Sequence, residues 1–92
     1  MYQATRREHL TTDRIQALPC PPGARQAFLW DTDVPRLAVR ATAGSKSYVF
    51  QATIAGKTAR VTIGSTTVWT LQAARKEGRR LAALIDQGID PR

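Results

Sequence analysis

The sequence predicts one small α+β domain, in which a three- to four-stranded antiparallel sheet packs against a C-terminal helix and follows a short N-terminal helix. Two patterns indicate this class. Apolar and polar residues alternate through the middle of the chain, as in strands with one buried face. Residues 71–87 instead carry apolar side chains at helical spacing. A chain of 92 residues fits one domain of this kind.

The beginning of the chain shows a loose segment, a short helix and a stiff connector. Residues 1–9 are polar, charged and aperiodic, which predicts a flexible N-terminus. Residues 10–18 are typical of a short helix, and Thr11 can act as its N-cap. Pro19 ends this helix, and the Cys-Pro-Pro-Gly run at residues 20–23 predicts a stiff connector.

Three or four short strands are expected next, and the last two specify their own register. If Ala55–Gly56 is a two-residue loop, apolar residues face apolar residues and polar residues face polar ones, which a one-residue slip would destroy. Ala55 would need a positive φ in a type I′ turn, so a bulged turn is the alternative. The predicted strands are residues 28–30, 37–42, 47–54 and 57–63, and the facing pairs include Tyr48–Ile63, Phe50–Val61, Gln51–Arg60 and Thr53–Thr58.

The end of the chain predicts a long helix and the start of a linker. The helix at residues 71–87 is expected to begin at the N-cap Thr70 and to end at Gly88. Asp90–Pro91 is typical of a further helix start. The predicted organisation is therefore a flexible segment at residues 1–9, a domain at residues 10–89, and at residues 90–92 the start of a linker to the rest of a larger protein.

The composition favours a polyanionic partner and argues against chemistry within the chain. Fourteen Lys and Arg against seven Asp and Glu give a net charge of +7, and duplex DNA is the usual partner of such a domain. Cys20 and His9 are each the only residue of their type. We therefore expect no disulfide framework, metal site, cofactor or nucleophilic active site. We also expect no signal peptide or membrane span, and a cytoplasmic location.

Two basic surfaces are candidates for DNA binding. The outward face of the sheet can lie in the major groove, although such a face is also often only solvated, and the residues alone leave both alternatives open. The basic side of the C-terminal helix can contact phosphates, although outer helix faces are normally charged. The sheet candidates are Arg40, Lys46, Gln51, Thr53, Lys57, Arg60 and Thr62, and the helix candidates are Arg75, Lys76 and Arg79.

An ordered set of segments covers nearly the whole chain after residue 10. The segments are residues 11–18, 30–32, 34–37, 44–49, 60–64, 71–75 and 88–91. The set resembles the N-terminal arm-type DNA-binding domain of phage and prophage integrases, which are tyrosine recombinases.

The resemblance implies that the sheet enters the major groove of arm-type DNA sites. Arg40 and Arg60 match outward basic positions of the family, and Lys46 matches its turn lysine. The resemblance also implies that residues 90–92 begin a linker to core-binding and catalytic domains absent from this chain. Because the catalytic residues of such integrases lie in a separate C-terminal domain, this chain is expected to be non-catalytic. The implied partners are double-stranded DNA, other integrase protomers and accessory recombination factors, at the bacterial nucleoid. The alternative is a protein–protein interaction module within the recombination complex.

The chain departs from the family pattern on the outward face. Gln51 and Thr53 stand where outward arginines are common, and Arg36 stands where glycine is usual. The first two departures leave less positive charge on the sheet than is common in the family.

Overall fold

A computed structural model of the chain describes residues 5–19 and 26–92. The predicted α+β class is confirmed, with a sheet, a short N-terminal helix and a C-terminal helix. No helix in these two ranges is long and apolar enough to cross a membrane. The elements are β1 (Thr5–Glu8), α1 (Thr12–Ala17), β2 (Ala27–Asp31), β3 (Leu37–Ala41), β4 (Lys46–Ile54), β5 (Lys57–Ser65) and α2 (Leu71–Asp86).

The sheet contains one strand that the sequence did not predict. The strands lie in the order β1 to β5, with β2 to β5 antiparallel and β1 parallel to β2 at the edge. Residues 5–8 therefore pair with β2, although they belong to the segment predicted to be flexible. Their sequence, Thr-Arg-Arg-Glu, lacks apolar alternation, and a strand paired at an edge through its backbone needs none. The predicted connector at residues 20–23 lies outside the described residues.

The β4–β5 hairpin confirms most of the predicted register. Its strands pair from Ile54–Lys57 to Val49–Thr62, but an irregularity between Tyr48 and Val49 places Tyr48 opposite Gly64. The predicted Tyr48–Ile63 pair is therefore wrong, and the strand continues beyond Ile63. The loop keeps two residues, with φ of 51° at Ala55 and 79° at Gly56. Positive φ at both positions is the signature of a type I′ turn, whose twist matches that of the strands.

Both helices begin at the predicted N-caps. The Thr11 side chain accepts a hydrogen bond from the Arg14 N–H at 3.1 Å, and the Thr70 side chain accepts one from the Ala73 N–H at 3.1 Å. Helix α2 ends in the Schellman arrangement, because the Ile89 N–H donates to the Leu84 carbonyl at 2.8 Å. These bonds satisfy backbone groups that helix ends leave without intrahelical partners.

The core lies between the inner face of the sheet and the two helices. The larger cluster joins both helices to β2, β3 and β4, and the smaller one joins α2 to β4. On α2 the buried stripe is Ala74, Gly78 and Leu81, as the helical spacing predicts. The fully buried large side chains include Leu10, Leu29, Leu37, Val39, Phe50 and Leu81.

A buried ion pair ties β2 to α2 and to the segment before α1. Asp31 is fully buried, and its carboxylate accepts hydrogen bonds from Nε and Nη2 of Arg75 at 2.9 and 3.2 Å. The Leu10 N–H donates to the same carboxylate at 3.1 Å, and Arg75 Nη2 donates to the Leu10 carbonyl at 2.8 Å. Burial alone would raise the pKa of Asp31, but these hydrogen bonds outweigh it and lower the pKa below its ordinary value of 3.8.

This ion pair corrects the predicted position of Arg75. The helical pattern places Arg75 on the charged outer side of α2, but only 13% of its side chain is exposed. Arg75 directly follows the buried Ala74 at the edge of the apolar stripe. From this edge its long side chain reaches the carboxylate of Asp31.

We predict that Gly64→Ala destabilises the domain. A Cβ atom at Gly64 would overlap the indole ring of Trp69, which packs against the larger core cluster. Because the indole must then shift, we expect the free energy of unfolding to fall by about 1–3 kcal/mol. Urea denaturation measures this change. Gly44→Ala is the control, because a Cβ there meets no atom within 4 Å, and equal losses in the two variants would contradict the proposed overlap.

We also predict that Asp31→Asn destabilises the domain at neutral pH and reduces its sensitivity to acid. Removing the charge leaves the mostly buried guanidinium of Arg75 with only the half-exposed carboxylate of Asp33, 3.9 Å from its Nε. We therefore expect a loss of about 3 kcal/mol, the lower end of the range for a broken buried ion pair. Because folding lowers the pKa of Asp31, its stabilising contribution is complete above its ordinary pKa of 3.8 and is lost as the pH falls through the lower folded-state value. Urea unfolding at neutral and acidic pH measures both effects.

The control for Asp31 is Arg80→Ala, which breaks the exposed pair between Arg80 and Glu77. Exposed pairs contribute little to stability, so this variant should unfold nearly as the wild type does. An Asp31→Asn protein that keeps wild-type stability at neutral pH would show that the buried pair does not hold the domain together.

Candidate nucleic-acid interface

The side of the sheet opposite α2 forms a continuous surface, here called the outward face. Strand alternation places its side chains away from the core, because their neighbours along each strand belong to the buried clusters. The face consists of Phe28 and Trp30 on β2, Ala38 and Arg40 on β3, Val49, Gln51 and Thr53 on β4, and Thr58, Arg60 and Thr62 on β5.

The β4–β5 hairpin brings together most of the predicted sheet residues. Gln51 lies opposite Arg60, and Thr53 lies opposite Thr58. Nε and Nη2 of Arg60 both donate hydrogen bonds to Oε1 of Gln51, at 2.9 and 2.8 Å. Arg60 remains exposed, as do both threonines. The hairpin therefore presents one arginine among neutral hydrogen-bonding side chains.

Arg40 lies apart from this group. It belongs to β3, where it pairs with Phe28 on one side and Ser47 on the other. Its Nε is buried and has no hydrogen-bond partner among the described residues. The structure thus divides the predicted sheet residues into a hairpin group and a separate arginine nearer to β2.

The two turn lysines differ in their surroundings. Nζ of Lys46 donates a hydrogen bond to the backbone carbonyl of Gln16, in the last turn of α1, at 2.6 Å. Lys57 is exposed directly after the β4–β5 turn, and its side chain makes no hydrogen bond or ion pair within the described ranges. Lys46 therefore supports the fold as well as carrying charge, whereas the ammonium group of Lys57 is open to a ligand.

Two aromatic side chains, Phe28 and Trp30, lie beside the basic residues of the outward face. The sequence pattern did not predict them there. The rings of Phe28 and Trp30 are stacked with their centroids 5.9 Å apart, and Cζ of Arg60 lies 5.0 Å from the Phe28 centroid. The predicted strand of residues 28–30 was too short to show which side alternates inward. In the observed β2, Ala27, Leu29 and Asp31 are buried, so the aromatic rings point outward.

The outward face is therefore less polar than the sequence predicts. Ala38 and Val49 point to this side of the sheet, yet both are fully buried. Trp30 pairs with Ala38, which pairs with Val49 in turn. The β2 side of the face is a small apolar layer apart from Arg40, and the other polar side chains of the face lie on β4 and β5.

The charge on this part of the sheet has one sign. Strands β3, β4 and β5 contain no Asp or Glu, while they carry Arg40, Lys46, Lys57 and Arg60. A surface that concentrates positive charge without acidic neighbours attracts polyanions and raises their rate of association.

The basic side of α2 is a weaker candidate. Arg75 is held by Asp31, and Arg80 donates hydrogen bonds to the carboxylate of Glu77 at 2.8 and 2.6 Å. Lys76 and Arg79 are exposed, and their side chains have no polar partner within the described ranges. Because α2 packs on the inner face of the sheet, its solvent side points away from the outward face.

The described residues hold no cluster typical of metal or nucleophilic chemistry. No group of three or more His, Cys, Asp and Glu side chains among them could hold a metal ion. Nδ1 of His9 lies 3.8 Å from Oδ1 of Asp33, and both side chains are about half exposed, at 54% and 47%. Cys20 lies outside the described residues.

Comparison with known proteins shows the family of the chain. A family profile described as an arm DNA-binding domain matches residues 10–92. The chain is also 52% identical over 89 residues to the prophage integrase IntF of Escherichia coli (strain K12). This match covers 97% of the chain, which spans 19% of the length of that integrase. The chain therefore belongs to the family of arm DNA-binding domains.

Proposed function

We propose that the chain binds duplex DNA through its outward face and acts as the non-catalytic, arm-site-binding part of a prophage integrase during DNA integration. In this proposal the β4–β5 hairpin enters the major groove, and Arg60 contacts a base edge. The family membership and the identity to a prophage integrase support the role. They also favour a location at bacterial DNA in the cytoplasm.

The observation that carries the proposal is the acid-free hairpin with Arg60 at its centre. The major groove of B-form DNA admits a two-stranded β-ribbon, and its base edges offer acceptors to arginine. Thr58 and Thr62 flank Arg60 on the same side of β5, and their hydroxyl groups can donate to or accept from bases and phosphates. In this proposal the exposed Lys57, directly after the hairpin turn, contacts the DNA backbone.

The sheet is a better candidate surface than α2 because the positive charge of Arg60 is not neutralised by a neighbouring carboxylate. Two of the arginines along α2 are neutralised by carboxylates, Arg75 by Asp31 and Arg80 by Glu77. Arg60 is held by a neutral amide instead. Contacts to phosphate depend on uncompensated positive charge, so the sheet offers the stronger attraction.

We predict that an amide NMR titration with a random-sequence duplex shifts the signals of the outward face. Gln51, Arg60 and Thr62 should move in fast exchange at low salt, and the shifts should fade at physiological salt. About five phosphate contacts would give a slope near −4.5 for log K against log salt. Shifts confined to Lys76 and Arg79 would instead move the DNA surface to α2. No shift at either salt concentration would favour a protein–protein interaction module.

A second prediction compares two exposed arginines. Arg60→Ala should weaken binding to an arm-site duplex by about 1–3 kcal/mol, since it removes a contact to a base edge. Arg80→Ala removes the same charge from α2 and should have a much smaller effect. Fluorescence anisotropy with labelled duplex measures both affinities. Equal affinity of the wild type and Arg60→Ala would exclude Arg60 as a DNA contact.

A further inference from the structure

The Arg60 guanidinium is held in one orientation by two neighbours. Gln51 Oε1 accepts hydrogen bonds from both Nε and Nη2, at 2.9 and 2.8 Å. The face of the Phe28 ring lies under the guanidinium, with Cζ 5.0 Å from the ring centroid, which is within the range of a cation–π interaction. An arginine on a sheet surface otherwise samples many rotamers, so these contacts restrict it before any ligand arrives.

The contacts occupy one edge of the guanidinium and leave another open. Arginine carries five N–H donors in a planar fork. The Nε and Nη2 donors on one edge point at Gln51, so the two donors of Nη1 and the second donor of Nη2 remain. These remaining donors form the end of the fork, which can bind two adjacent acceptors at once.

Guanine is the base whose edge fits this open end of the fork. In the major groove guanine presents two adjacent acceptors, O6 and N7, whereas adenine places a donor beside its N7 acceptor. Thymine and cytosine do not offer such a pair of acceptors. A phosphate also accepts two hydrogen bonds from arginine, but Arg60 lies within the hairpin between Thr58 and Thr62, and not at its end.

We propose that Arg60 reads a guanine in the major groove and that Gln51 and Phe28 are positioning residues that hold its guanidinium for this contact. The inference rests on the proposed function, because it requires the hairpin to enter the groove. It also assigns Gln51 a different role from the one that the sequence suggests. Its Oε1 binds Arg60, so Gln51 supports the arginine rather than reading a base through that atom.

The test begins with selection of sites by the whole chain from a duplex library with a randomised central segment. The wild type should select a motif that contains a guanine, and Arg60→Ala should lose the preference at that position alone. Replacing this guanine by 7-deazaguanine removes only the N7 acceptor and should weaken wild-type binding. Replacing the G·C pair by A·T should weaken it by about tenfold to a hundredfold, the range of one bidentate arginine–base contact.

Variants of Gln51 separate positioning from general binding. Gln51→Ala should reduce the preference for G·C over A·T several-fold, while its affinity for random duplex changes less. Adding Gln51→Ala to Arg60→Ala should cause little further loss of preference, since Gln51 acts only through Arg60. Gln51→Glu keeps an acceptor for Arg60 and should retain the preference, although its negative charge lowers affinity for all duplexes.

Two further variants serve as comparisons. Phe28→Leu removes the aromatic face but keeps an apolar side chain, and it should also lower the preference for guanine. Arg80→Ala changes an exposed residue of α2, away from the outward face, and it should leave the preference at this position unchanged. Thermal unfolding of each variant shows that the domain is still folded at the temperature of the binding assay.

The possible failures are distinct. If the wild type binds no duplex, or binds all duplexes equally, the proposed function fails and the guanine contact fails with it. If the wild type selects a motif and Arg60→Ala keeps the same preference for every guanine in it, the hairpin can still bind DNA but this inference is wrong. A preference that depends on Arg60 but survives both Gln51→Ala and Phe28→Leu would overturn the positioning roles.

Discussion

The buried pair between Asp31 and Arg75 is the constraint on which the arrangement of the sheet depends. Asp31 ends β2, and its carboxylate must point inward to meet the guanidinium of α2 and the Leu10 N–H. Because side chains alternate along a strand, an inward Asp31 requires an inward Leu29 and an outward Phe28 and Trp30. The interaction that joins helix to sheet thus also determines that the aromatic pair lies on the outward face.

The alternation of side chains along β2 also determines what lies beside Arg60 on the candidate DNA-binding surface. An aromatic ring beside a basic strand can form a cation–π interaction with a neighbouring arginine. The Phe28 ring lies under the guanidinium of Arg60 in this way. The buried pair also removes Arg75 from the basic residues available to a ligand. One interaction therefore lowers the free charge on α2 and supports the arginine on β5, and both effects favour the sheet over the helix as the binding surface.

Sequence patterns predicted the elements that depend on periodicity and missed those that depend on single side chains. The hairpin register followed from matching apolar with apolar residues. Beside Tyr48 the same rule selected Ile63, whereas the strand pairs Tyr48 with Gly64, which has no side chain to indicate a pairing. Strand β1 pairs through its backbone and needs no alternation. Arg75 was predicted to point outward because helical spacing gives the position of its Cβ atom. It does not give the position of the guanidinium at the end of this long side chain. The predicted strand of residues 28–30 was too short to indicate which of its side chains point toward the core.

The geometry gives a physical interpretation to Gln51, which stands where the resemblance leads one to expect an arginine. An arginine at position 51 would add charge, but it carries no acceptor and would face Arg60 across the hairpin as a like charge. A carboxylate would hold Arg60 while cancelling its charge, as Asp31 does for Arg75 and Glu77 does for Arg80. The neutral amide of Gln51 accepts the same hydrogen bonds and leaves the positive charge of Arg60 intact. The lower charge of the hairpin is therefore accompanied by an arginine that is both oriented and uncompensated, which is the combination that recognition of a base edge requires.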